Sequence, residues 1–210
     1  SNDIVCLAVA PVLADVCIRR RVDPVPYLLA LAAATPLSLQ GVVAQMLAHG
    51  MIIALLFCLV GLIELRTGTS AIPDLSGLLN PQRGLPFTLG LMLVALMAAA
   101  GVPGLAGFVA ELLVFEGRWV AFPIPTLVCL LASGLTAVYA VRLFNRVGFG
   151  RLDNARADWI STRWSERAPA LVLTGLVVVT GLWPTSLTGF SESATAPLAL
   201  RSSDAVTVVA

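Results

Sequence analysis

The chain contains no lysine: all 13 of its basic residues are arginine, against 12 acidic ones, for a formal net charge of +1. That balance offers no basic footprint for nucleic acid. Charge of either sign is scarce, at 12% of residues, about half the share of a soluble domain. Histidine occurs once, as His49, and the four cysteines (Cys6, Cys17, Cys58 and Cys129) are scattered through apolar runs. Neither type shows metal-ligand, CxxC or iron–sulfur spacing, so no metal site is expected and the cysteines read as small packing residues. A phosphate-binding glycine loop is missing, and with its one histidine inside an apolar run the chain has no hydrolase triad. Covalent catalysis by this chain alone is not expected. Asp3 precedes the first apolar run and no basic stretch comes before it, so the first residues are not read as a signal peptide.

Apolar residues are what the chain has in quantity. They make up 58% of it, with a mean hydropathy of +0.93, and they fall in long runs without amphipathic spacing. A helix apolar on every face belongs in a large core or in lipid, and 210 residues are too few to bury several such helices from water. The expected fold class is therefore all-α: a polytopic transmembrane helical bundle.

Spans of roughly 17–25 mostly apolar residues are expected over Gln40 to Ile63, Leu85 to Phe115, Ile124 to Phe144 and Ala168 to Leu187. The second is too long for one straight crossing and carries Gly101, Pro103, Gly104 and Gly107 at its middle. Proline removes a backbone donor and clashes with the preceding turn, and the glycines relax the helix further, so this span is predicted to be a broken helix. Residues 35–190 form the membrane domain in this reading, and 191–210 a flexible tail. Ile4 to Ile18 and Val25 to Ala34 are apolar runs below a comfortable spanning length.

Arginines orient the spans. The link from Asn145 to Arg167 carries Arg146, Arg151, Arg156, Arg163 and Arg167 and is expected to face the cytoplasm. Counting back puts the Arg66–Arg83 loop on that side and Arg118 in a loop on the other.

An ionisable group inside a span is a functional hypothesis by default. Glu111 lies just past the predicted break, and His49 lies mid-span with Gln45 one turn earlier on the same face. Low dielectric brings a carboxylate into the range where it loads and releases a proton, and imidazole needs little help to do so. Backbone groups freed by a break are tolerated at membrane depth only beside protein or water. Acid, imidazole, amide and broken helix together describe a hydrated track for protons or small cations. Ser133, Thr136 and Tyr139, at helical spacing on the third span, are candidate lining residues. Each has a plainer reading. Glu111 can pair with an arginine, His49 can be a hydrogen-bonded packing group, and Ser133 and Thr136 can join helices. Arg142 and Arg146 can snorkel to the interface, and Glu64 and Glu116 stand at span ends.

The order of these segments resembles a known family. TPLSLQGVVAQMLAHGMIIALLFCLVGLIELRTGT, PGLAGFVAELLVF and VYAVRLFNRVGFG are similar to successive helices of the antiporter-like, proton-translocating membrane subunits of complex I. Glu111 in the broken helix, where the chain 5 type carries lysine, points to the chain 4 type. GLLNPQRGLP, FPIPTLVCLLASGLTAVY and WSERAPALVL resemble the cyanobacterial carbon-dioxide-uptake form of that type. The resemblance implies that Glu111 is the terminal proton-loading residue of a half-channel and that His49 belongs to the track leading to it. It implies a thylakoid or plasma membrane location and assembly with the other membrane-arm subunits, with a carbon-dioxide-hydrating subunit as a further partner. Quinone, NAD(P)H or ferredoxin, and iron–sulfur clusters would sit in partner subunits, with no cofactor in this chain. The family's first inverted repeat and bridging lysine would lie upstream, so this stretch would hold one half-channel only. Residues 1–34 instead resemble, through SNDIVCLAVAPVLADVCIRR, the arsenite/citrate ion-transporter group, which suggests a fusion near YLLALAAAT. A secondary ion transporter and a non-conducting truncated subunit are the rival readings.

Overall fold

The computed structural model describes residues 36–82, 84–151 and 163–189. The ion-transporter-like segment 1–34 and the tail 191–210 lie outside the described residues, as do Arg83 and Arg156. Among the described residues the long elements are all helices: α1 (Pro36–Thr67), α2 (Pro86–Ala99), α3 (Ala106–Trp119), α4 (Pro123–Gly148) and α5 (Trp164–Leu182). The all-α transmembrane fold expected from the sequence is the one found.

Leu37–Thr67, Pro123–Gly148 and Trp164–Leu182 are each long and apolar enough to cross a membrane. The 32 residues of α1 correspond to about 48 Å of helix, well beyond the ~30 Å hydrocarbon core. Its last turns carry Glu64 and Arg66. The 14 residues each of α2 and α3 give only about 21 Å apiece. Neither is long enough to span alone; the two together reach spanning length, with the interruption between them.

The break itself has a specific cause. Gly101 takes φ 69°, its N–H donates to the Ala98 carbonyl at 3.3 Å, and the Val102 N–H donates to Met97 at 3.1 Å. This paired arrangement around a left-handed glycine is a Schellman motif, which ends a helix while satisfying its last carbonyls. The sequence places the break in the cluster of Gly101, Pro103, Gly104 and Gly107; within it the Gly101 turn ends α2, and Pro103 serves to prevent resumption. Gly104, at φ 91°, turns the chain into α3.

Two expectations are corrected. The sequence places the last span at Ala168 to Leu187, but α5 starts at Trp164 and stops at Leu182. Pro184 disfavours helical backbone at the residue before it, and Trp183 sits at φ −122°, ψ 77°. Arg118, expected in a loop, lies in the last turn of α3, fully buried, with its guanidinium 5.1 Å above the Phe115 ring.

Glycines let α1 and α3 approach along their length. A Cβ at Gly117 would run into the Ser38 backbone, and one at Gly41 would lie 2.7 Å from the Val114 nitrogen. At the other end of α3, Gly107 lies against the Ala98 carbonyl, with Ile52 beside it. These contacts make α1 and α3 antiparallel. On α5, Gly181 rests on the backbone of Gly104 and Leu105, so the last helix covers the break. Around these seams a core of Leu55, Leu59, Leu78 and Leu89 is completely buried.

One end of the bundle is tied by its connections. The N–H groups of Gly77, Leu78 and Leu79 donate to the carbonyls of Phe149, Val147 and Gly148, so the loop after α1 caps the C-terminus of α4. Arg66 pairs with Glu166, and the Arg167 guanidinium lies between Phe87 and Trp164, 4.8 and 5.5 Å from their rings. The two arginine-bearing connections thus share one end, as the loop-charge reading expects. The short α3–α4 turn lies at the other.

Candidate functional site

The site forms where the interruption meets α4. Side chains in a helix lean toward its N-terminus, so Glu111, in the second turn of α3, reaches back toward the break. Its carboxyl group arrives beside Gly101: a Cβ there would stand 2.6 Å from Oε2 and 3.3 Å from Cδ. From the opposite side the Ser133 hydroxyl donates to the same Oε2 at 3.0 Å. One carboxylate oxygen is therefore held between an α4 hydroxyl and the turn that ends α2. Glu111 is half-buried, and no ion pair from it is found among the described residues.

Gln45 and His49 belong to α1, the helix most closely packed on α3. With Gly41 against Val114, one further turn along the antiparallel pair brings Gln45 level with Ala110 and Glu111. His49 comes level with the start of α3, beside the break. Both are half-buried and hydrogen-bonded or otherwise engaged. The same depth of the bundle thus holds carboxyl, amide, imidazole and the interrupted backbone.

The three α4 candidates separate. Ser133 faces inward and touches Glu111. Thr136 is half-buried at the edge of the contact face, and Tyr139 is 61% exposed on the outer side. Residues three apart on a helix are offset by about 60°, so three at that spacing fan across the surface and cannot all point at one group. The helix-break residues divide likewise: Gly101 holds the left-handed turn and the carboxylate, Gly104 the second turn, Gly107 the close approach to Ala98, and Pro103 is exposed.

Sequence reasoning missed the particular part of Gly101, which depends on where a side chain ten residues later ends. It also missed the Arg66–Glu166 pair, whose members lie a hundred residues apart. Among the described residues no cluster of histidine, cysteine or carboxylates is able to hold a metal ion. The arrangement suits protonation and deprotonation of one carboxyl group reached through polar neighbours.

Residues 26–136 match the family described as NADH:quinone oxidoreductase/Mrp antiporter, transmembrane. The chain is 34% identical over 193 residues to NAD(P)H-quinone oxidoreductase chain 4 1 of Synechococcus elongatus, covering 87% of this chain and 35% of that protein. It is 30% identical over 169 residues to NADH-quinone oxidoreductase subunit M of Escherichia coli, covering 80% and 33%. In three dimensions it superposes on a chain of respiratory complex I from Thermus thermophilus with a TM-score of 0.71 at 26% identity, covering 83% of this chain and 37% of that one. The chain spans about a third of the length of the curated relatives it matches.

Proposed function

The chain belongs to the NADH:quinone oxidoreductase/Mrp antiporter transmembrane family, and we propose that it supplies one proton-translocation half-channel to a membrane-arm subunit of a type I NAD(P)H or ferredoxin:quinone oxidoreductase. It is an integral membrane protein. In the proposed mechanism Glu111 is the group that loads and releases the proton. Gln45 and His49 lead to it from α1, Ser133 fixes its carboxyl oxygen, and Thr136 lines the edge of the path. The observation that carries this reading is the placement of Glu111: a half-buried carboxyl group beside an interrupted helix and hydrogen-bonded to one hydroxyl. Such an interruption is tolerated in a bilayer where it is packed by protein or lines a hydrated cavity, and α5 supplies the protein cover.

Redox chemistry belongs, in this proposal, to other subunits. Quinone, NAD(P)H or ferredoxin, and iron–sulfur clusters would be held there, and the partners of this chain would be the remaining membrane-arm subunits. The similarity to the Synechococcus protein supports a cyanobacterial thylakoid or plasma membrane. The carbon-dioxide-uptake form, with its hydrating subunit, is the finer version of the same proposal.

Replacement of Glu111 by Gln in the native complex tests it. The amide keeps the shape and loses the titration, so assembly should persist while redox-driven proton uptake into membrane vesicles falls to background. Undiminished uptake in an assembled Glu111→Gln complex would remove the site assignment.

A further inference from the structure

Five tight glycines among the described residues meet main chain that cannot easily be displaced, and two meet the free end of a side chain. A Cβ at Gly41, Gly84, Gly107, Gly117 or Gly181 would strike main-chain atoms, and at Gly148 a leucine methyl. At Gly101 the three nearest atoms all belong to the Glu111 carboxyl group. The obstacle is the free end of a three-torsion side chain, which moves at little structural expense. An added methyl group there would displace the carboxylate and leave the helices in place.

We propose that Gly101 is a positioning residue for Glu111: the space left by its missing side chain is the slot in which the carboxylate rests, with Ser133 closing the slot from α4. The proposal rests on the reading of Glu111 as the proton-loading group. It adds that the location of the loaded proton is set jointly by the end of α2 and the face of α4, not by α3 alone. The glycine consequently has two roles. Its left-handed backbone ends α2, as φ 69° requires, and its open side admits Oε2 to the Ser133 hydroxyl. A shift of the end of α2 relative to α3 would alter the slot directly, which couples proton position to the geometry of the interruption.

The test separates the two roles and is made in the native complex. Gly68 has the same backbone conformation, at φ 73°, with nothing within 4 Å of a Cβ, and Gly104, at φ 91°, meets only a Leu182 methyl at 3.9 Å. Gly68→Ala and Gly104→Ala therefore introduce left-handed strain without touching the carboxylate. The carboxyl bands of Glu111, identified by their loss in Glu111→Gln, are followed by infrared difference spectroscopy on a pH step. Gly101→Ala should shift these bands and slow proton transfer by about tenfold or more, since a misplacement of ~1 Å can cost a hundredfold. Gly68→Ala and Gly104→Ala should leave the bands where they are. Unshifted bands in Gly101→Ala, or equal shifts in Gly104→Ala, would overturn the proposal.

A second comparison covers a Gly101→Ala complex that fails to assemble. Glu111→Asp withdraws the carboxyl group by one methylene, so Gly101→Ala should be tolerated better in that background than alone. Failure in both backgrounds would mean that the glycine serves the backbone only, and the proposal falls. If Glu111→Gln pumps normally, the proton-loading reading is lost, while the band shifts still decide whether Gly101 positions the carboxyl group.

Discussion

The Ser133 hydroxyl donates to Oε2 of Glu111 at 3.0 Å, joining α4 to the half-helix that follows the break. This single bond distinguishes Ser133 from its neighbours Thr136 and Tyr139. A hydrogen bond of this kind contributes about 1 kcal/mol net, and about 1.5–3 kcal/mol when its acceptor carries a charge. Ser133→Ala is therefore expected to slow proton transfer on the order of tenfold, with assembly unchanged. Ser133→Thr, which keeps the hydroxyl, should recover most of the rate. Equal rates in the alanine and threonine variants would show that the hydroxyl has no part in transfer.

Much of this architecture is legible in the sequence because lipid removes most alternatives. Uninterrupted apolar runs of spanning length have no other stable home, so α1 and α4 are found within a few residues of where hydropathy puts them. The break is legible as well, since glycine and proline at mid-span leave few ways to continue a helix. What sequence does not carry is rotation and partnership. Ser133, Thr136 and Tyr139 look equivalent in a string, although a period of 3.6 already implies that they point in different directions. Arg118 reads as a loop cation, because nothing local announces that Phe115 will stack on it or that Gly117 will bring the Ser38 turn alongside. The end of α5 is the intermediate case: Pro184 is visible in the string, and its effect on Trp183 follows from elementary sterics.

The α1–α3 seam makes a sharper stability prediction than any polar contact. At Gly117 a methyl group would strike the Ser38 backbone, and two helices cannot separate locally without losing contacts along their length. Overpacking of this kind costs about 1–3 kcal/mol, so Gly117→Ala should lower the thermal unfolding midpoint of the detergent-solubilised protein. Gly134, on the outer side of α4, has nothing within 4 Å of a Cβ. Gly134→Ala should leave the midpoint unchanged or raise it slightly, because alanine is favoured over glycine in a helix by about 0.5–1 kcal/mol. Equal midpoints for the two variants would count against the close α1–α3 packing.

The two bonds at Glu166 predict an order of effects at the end of the bundle that carries the arginine connections. Its carboxylate accepts from the guanidinium of Arg66 and, through Oε2, from the Arg163 backbone N–H at 2.9 Å. It thus caps α5 and fastens the start of that helix to the end of α1 at once. Removing Arg66 breaks only the tie, whereas removing the carboxylate breaks the tie and the cap together. Hydrogen exchange of the first-turn amides of α5 should therefore accelerate most in Glu166→Ala, less in Arg66→Ala, and in Glu166→Gln to an intermediate degree, since the amide oxygen still accepts from the backbone. Faster exchange in Arg66→Ala than in Glu166→Ala would mean that the ion pair alone holds this end, and that the cap contributes nothing to the start of the last span.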